Sequence, residues 1–213
     1  MVEITEETSR TKSLMLKLPD WPGGYRSGQH VDVRLTAEDG YVAERSYSIG
    51  SAPEDEHLVL TVERLDDGEV SPYLVDVLQP GDDLELRGPI GGYFVWEESL
   101  GGPLILIAGG SGVVPLRSML RHWAATSRAL PVRLLYSSRR LSEVIYRDEL
   151  LGYSKVDQVD VDFALTRDGP TIGRDIAAGS TRPCSPRSPG RRPACRGCTY
   201  AARTASWKRP LRR

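Results

Sequence analysis

Leu104–Leu120, LILIAGGSGVVPLRSML, is the stretch on which the fold turns. Its first residues, Leu104 to Ala108, are an unbroken apolar run with Gly-Pro before it and Gly-Gly after it. Such a run is expected to form a strand buried on both faces, as in a parallel sheet. Gly109, Gly110 and Gly112 then make a turn that lets the backbone approach a ligand closely. Pro115 suits the first turn of a helix, where a missing N–H costs nothing. Leu116, Met119 and Leu120 recur at helical spacing. Strand, glycine turn and helix start leave free N–H groups and the positive end of the helix dipole facing the glycines, which makes an anion site. Against the G-x-G-x-x-G pattern for dinucleotides, Gly110-x-Gly112 is followed by Pro115 in place of the third glycine. A tight turn with no ligand uses the same residues, so the rest of the chain must decide.

The 213 residues carry a formal net charge of −1, which hides a break in composition. Residues 1–168 hold 17 Lys and Arg against 28 Asp and Glu, whereas residues 169–213 hold ten Arg, one Lys and one Asp. All three cysteines (Cys184, Cys195 and Cys198) and six of the 15 prolines lie in that last part, and its only leucine is Leu211. No apolar run reaches the roughly 18 residues of a membrane span and no signal peptide opens the chain, so a cytoplasmic protein without a membrane partner is expected.

Residues 1–97 read as β structure. Ser13–Leu18, Gln29–Leu35, Ser46–Ser48, His57–Arg64 and Asp83–Arg87 alternate polar with apolar residues between turn signals such as Glu-Asp-Gly and Pro-Gly-Asp. About six short strands at this spacing predict a small antiparallel barrel. One helix interrupts them, with Ser71 as cap, Pro72 as first residue and Leu74, Val75 and Leu78 as the apolar stripe. Within the barrel, Arg45 and Tyr47 are two apart on a strand and therefore share a face. They present a guanidinium beside a flat ring, which suits a ligand with a phosphate and an aromatic system. Ser48 follows, able to hydrogen-bond a ring nitrogen or oxygen.

R-S-Y-S at Arg45–Ser48, G-x-x-S at Gly68–Ser71, G-P-I-G-G-Y-F at Gly88–Phe94 and A-G-G-S-G-V-V-P at Ala108–Pro115 occur in that order. In order and spacing the chain up to about residue 168 resembles the ferredoxin–NADP reductase superfamily. The resemblance implies an antiparallel Greek-key flavin-binding β-barrel, residues 1–99, followed by an incomplete parallel-sheet α/β domain for NAD(P), residues 100–168. It implies that Arg45 binds a flavin phosphate, that Tyr47 lies against the isoalloxazine and that Ser48 sits near its reactive nitrogen, which makes Tyr47 and Ser48 the expected catalytic pair. Ser46, Gly68, Val70 and Ser71 would complete the flavin site, with Ser71 at a helix N-terminus. Gly110, Gly112 and Pro115 would form the pyrophosphate turn. FAD rather than FMN is implied.

Val132–Ser137 is predicted as a second buried strand, with Ser138, Arg139 and Arg140 at the carboxyl end where ligands of open α/β sheets bind. By the resemblance Ser138 and Arg139 would take the 2′-phosphate of NADP, so NADPH is expected as donor with NADH second. Glu143–Leu151 is predicted as a helix with Val144, Leu150 and Leu151 inward, and Val159–Leu165 as a third strand.

After Thr166-Arg167 the resemblance stops. The family continues with a helix, a strand ending in Cys-Gly-Pro and a final helix. Residues 169–213 have no sustained period and few large apolar residues, as expected of a disordered tail. Cys195-x-x-Cys198 stands without a second pair or a neighbouring histidine, so no metal site is expected. Back-translation from the third codon base offers another account. Residues 172–184 become compatible with WTGHRGRIDAALL, and residues 195–207 with PRLYVCGPNGFVE. The final Glu is forced, because Trp207 followed by Lys208 reads GAA across the codon boundary. The permitted string is the missing helix start and Cys-Gly-Pro strand in family order, so a reading-frame slip near Asp168-Gly169 is expected.

The resulting expectation is a flavin-dependent oxidoreductase moving electrons between NAD(P)H, bound FAD and a small acceptor or a protein such as a ferredoxin or an oxygenase component. Its activity is expected to be impaired by the lost strands, and strand Leu104–Ala108 should be left with an unpaired apolar edge. The alternatives are a non-catalytic flavin-binding remnant and a basic-tailed nucleic-acid binder; the near-balanced total charge speaks against a nucleic-acid partner.

Overall fold

The computed structural model describes residues 1–18, 24–126, 130–167 and 171–172. The expectations for residues 173–213, including Cys195 and Cys198, lie outside the described residues. Among the described residues no helix is long and apolar enough to cross a membrane.

Six antiparallel strands form the first half: β1 Glu3–Thr8, β2 Thr11–Leu16, β3 His30–Thr36, β4 Val42–Ser48, β5 Leu58–Glu63 and β6 Glu85–Ile90. They make two sheets of order β1-β2-β5 and β4-β3-β6. A bridge between Ile49 and Leu60 joins the end of β4 to β5. The strands thus run β1-β2-β5-β4-β3-β6, a Greek-key order in which sequence neighbours are not always sheet neighbours. Alternation drives it. Leu14, Val31, Val33, Ile49, Leu60 and Val62 all turn inward and are fully buried, and the positions between them point to the barrel's other face. β1 carries no alternating pattern that marks it in the sequence. Its sequence EITEET has one aliphatic residue, and its acidic side chains suit an edge strand that must not pair further.

The helical turn after β5 runs Tyr73–Val77 and buries Leu74 and Val75. Ser71 does not cap it. The Leu65 N–H donates to Ser71 Oγ at 3.0 Å, so the hydroxyl closes the Leu65–Ser71 loop instead.

In the second half β7 Leu104–Gly109, β8 Val132–Ser138 and β9 Val159–Leu165 are parallel, and α1 Val113–Thr126 follows β7. The two-residue strand β10 Thr171–Ile172 pairs antiparallel with β9, so the sheet order is β10-β9-β8-β7 with β7 at an edge. The start of the tail therefore does carry a short strand. Trp123, Tyr136, Leu116, Leu120 and Leu150 fill the space between sheet and helices.

The second half differs from the sequence expectation at β7 and at the helix after β8. β7 is buried on one face only: Leu104, Leu106 and Ala108 are covered, while Ile105 is 50% and Ile107 41% exposed. Nothing among the described residues covers that second face or pairs with the free edge. The helix expected over Glu143–Leu151 is shorter, α2 Arg147–Tyr153. Val144, Ile145 and Tyr146 are all buried, which one helical stripe cannot achieve for three consecutive residues. The Ile145 N–H donates to the Tyr136 hydroxyl and the Tyr146 N–H to Glu7 Oε2, each at 3.2 Å, and Tyr146 takes a left-handed conformation (φ 58°) before the helix begins.

Candidate cofactor site

β4 carries Arg45, Ser46, Tyr47 and Ser48. Its register sets Arg45 opposite Val33 and Tyr47 opposite Val31, so the two share the barrel-side face as expected. Tyr47 packs against the core, and burial, working against the nearby Arg45, pushes its phenol up to about 12. Arg45 is half exposed. It donates to the Glu44 carbonyl at 2.7 Å and to Glu69 at 2.9 Å, which brings the R-S-Y-S strand against the Gly68–Ser71 segment. Ser46 faces the other way and donates to Asp32. The half-buried Ser48 hydroxyl has no hydrogen-bond partner among the described residues. Val70 is a core residue and Ser71 is buried, so their side chains are not presented to a ligand. Gly68 is needed for the tight loop, because a Cβ there would stand 2.8 Å from Ser71 Oγ. A cation beside a ring on one face of β4, with the Ser48 hydroxyl following at the strand's end, fits a phosphate-bearing flavin.

The carboxyl ends of β7 and β8 open onto a cleft of about 420 Å³. Gly110, Ser138 and Arg139 converge on it. A Cβ on Gly109 or Gly110 would meet nothing within 4 Å, so the backbone there lies open to a ligand, and Gly110 adopts φ +54°. This exposed glycine turn ahead of a helix fits a pyrophosphate. Gly112 does not line the cleft, and Pro115 is a buried residue of α1. Ser138 is buried and its Oγ donates to the Arg140 carbonyl at 3.2 Å, while Arg139 pairs with Glu143 at 2.9 Å. The expected 2′-phosphate contacts are thus engaged within the chain.

The far wall of the cleft belongs to the barrel. Arg10 and Glu63 line it, with Thr8 and Ser9. Arg10 reaches the Arg64 carbonyl and Asp66, each at 3.0 Å. Sequence reading missed these residues. T-S-R-T at residues 8–11 looks like any polar hairpin turn, and only the docking of the two halves makes it a wall.

That docking is polar. Ser118 Oγ of α1 donates to the Ser51 carbonyl at 2.6 Å. Arg121 grips both oxygens of Asp55 at 2.7 and 2.8 Å and also reaches Glu149 at 2.9 Å. Arg117 bonds Glu149 at 2.7 Å and the Gly50 carbonyl at 3.1 Å, and lies over the Tyr146 ring. Burial alone would raise the Asp55 carboxyl, yet the Arg121 and Ala52 hydrogen bonds hold it below its usual range. The clasp fixes the barrel's R-S-Y-S strand relative to the cleft.

Two family models match the chain. The family model for an oxidoreductase FAD-binding domain matches residues 1–95, and that for an oxidoreductase NAD-binding domain matches residues 106–170. Ferredoxin–NADP reductase B of Sorangium cellulosum is 36% identical over 149 residues, which is 69% of this chain and 60% of that protein. NADH oxidoreductase HCR of Escherichia coli is 34% identical over 194 residues, 86% of this chain and 58% of that protein. The chain therefore spans about three fifths of the length of these two relatives. The FAD/NAD-binding domain of a nitric oxide dioxygenase from Vibrio cholerae superposes with a TM-score of 0.68 at 26% identity, covering 76% of this chain and 71% of that one.

Proposed function

Because the chain belongs to the ferredoxin–NADP reductase superfamily, with an oxidoreductase FAD-binding domain ahead of an NAD-binding domain, we propose that it is an NAD(P)H-dependent flavin oxidoreductase. Its electrons go to a protein acceptor such as a ferredoxin or an oxygenase component, or to a small acceptor. The observation that carries this reading is the open Gly109-Gly110 turn at the carboxyl ends of β7 and β8, in a chain whose barrel sets Arg45 and Tyr47 side by side on β4.

FAD, when bound, supplies the redox chemistry, and the protein supplies binding and orientation. Arg45 holds a flavin phosphate, Tyr47 supports the ring and the free Ser48 hydroxyl donates to a ring nitrogen. The Gly68–Ser71 loop lines the flavin phosphates through its backbone. Gly109 and Gly110 present the turn to the pyrophosphate of NAD(P)H, with Gly112 behind them just ahead of α1. Arg139 takes the 2′-phosphate of NADPH on leaving Glu143; NADH makes no such demand. The domains divide at residues 1–99 and 100–168, with 169–213 an out-of-frame tail.

A second reading, a flavin-binding remnant that no longer accepts hydride, draws support from the bare edge and face of β7. An absorbance spectrum before and after anaerobic NADPH separates the two. Flavin bands that bleach establish the oxidoreductase. Bands that persist with NADPH and bleach with dithionite establish the remnant, and no bands after adding FAD defeats both. Arg45→Ala should weaken FAD binding roughly ten- to hundredfold, the range of one hydrogen-bonded charge, as read by flavin fluorescence titration.

A further inference from the structure

Glu69 is the carboxylate that Arg45 meets on the Gly68–Ser71 segment. One of its carboxylate oxygens accepts from Arg45 at 2.9 Å and the other from the Tyr41 hydroxyl at 2.7 Å. Both oxygens are thus committed, and the carboxylate is pinned beside Gly68. The other end of the Arg45 guanidinium is spent on the Glu44 carbonyl. Arg45 therefore has an internal counter-ion before any ligand arrives.

We propose that Glu69 competes with the flavin phosphate for Arg45, so that its charge sets how tightly this chain holds phosphate-bearing flavins. The proposal rests on the reading that Arg45 takes the FAD phosphate. A phosphate must displace the carboxylate, and the carboxylate, tethered to Tyr41, then remains a neighbouring like charge. Both partners are about half exposed, so the pair is of the weak, screened kind, and its loss is felt as a few-fold change rather than a thousandfold one.

The test is titration of flavin-free protein with FAD, FMN and riboflavin, followed by flavin fluorescence, for wild type, Glu69→Gln and Glu69→Ala. Gln keeps an acceptor for Tyr41 and removes the charge. Both variants should bind FAD and FMN about two- to fivefold more tightly and riboflavin, which has no phosphate, as wild type does. The gain should shrink at about 1 M salt, where the Debye length falls to roughly 3 Å. Glu85→Gln, which breaks the exposed pair with Arg34 elsewhere on the barrel, should change none of the three affinities. Unchanged or weaker FAD binding in both Glu69 variants overturns the proposal alone, as does an equal gain for riboflavin. If wild type and all variants bind no flavin, the proposal falls together with the function it rests on.

Discussion

Gly28→Ala is expected to destabilise the protein by about 3 kcal/mol or more, a fall in Tm of roughly 6–12 °C for a domain pair of this size. Gly28 has φ +99°, and a Cβ there would stand 2.0 Å from the Phe94 carbonyl oxygen and 2.7 Å from Met119 Cε. Met119 can swing away, but the Phe94 carbonyl is backbone and cannot. The strand entry at residues 26–29 is held on three sides. The Trp96 N–H donates to the Ser27 carbonyl at 3.1 Å, Ser27 Oγ donates to the Ser118 carbonyl at 3.3 Å, and Gln29 Nε2 donates to the Gly91 carbonyl at 2.7 Å. Moving Phe94 out of the way pulls on the first and the last of these. Barrel, linker and α1 meet at this glycine, so the methyl group loosens the contact that joins the two halves. Gly40→Ala separates clash from backbone strain. Gly40 also has positive φ, +86°, but nothing lies within 4 Å of its Cβ position, so its cost should stay near 1–2 kcal/mol. Equal melting temperatures for the two variants would show that the Phe94 contact yields freely.

Gly28 also marks the boundary of what local sequence can say. The barrel was legible because short β segments recur between turn signals, most cleanly where Val31 and Val33 alternate with polar residues, and alternation is a property of each segment by itself. The R-S-Y-S face was legible for the same reason: period two puts Arg45 and Tyr47 together wherever the strand lies. Gly28, by contrast, reads as an ordinary loop glycine in R-S-G-Q, because the atom it must avoid is 66 positions away at Phe94. Arg10 and Glu63 were invisible as cleft residues for the same reason. Tyr146 was misread within its own segment. V-I-Y-R-D-E-L-L has helical composition, but the Ile145 and Tyr146 N–H groups are taken by the Tyr136 hydroxyl and by Glu7, and tertiary bonds override propensity there.

The chain whose residues after Asp168 are read in the third-base frame is expected to reduce its flavin with NADPH roughly a hundredfold faster than the chain as it stands, the scale of a misplacement of about 1 Å at the reacting centre. The physical ground is β7. It is an edge strand of the described sheet, and its outward residues Ile105 and Ile107 are exposed, with Leu135 of β8 directly beside Ile107 and 41% exposed. An apolar strand edge joined to an apolar face is an aggregation site unless something covers it. The string permitted by the other frame, PRLYVCGPNGFVE, supplies a short apolar strand and a glycine turn of the kind that such an edge accepts. Covering β7 also steadies its carboxyl end, where Gly109 and Gly110 line the cleft. Two measurements decide the matter. The codons of residues 172–184 and 195–207 must realise the permitted residues at every position; a gene that gives an unrelated string in that frame ends the idea. In sedimentation the chain as it stands should self-associate as concentration rises, and the frame-restored chain should not. If both chains stay monodisperse and reduce flavin equally, the bare edge of β7 is of no consequence to the nucleotide site, and three parallel strands are enough to present Gly110 and Arg139 to NADPH.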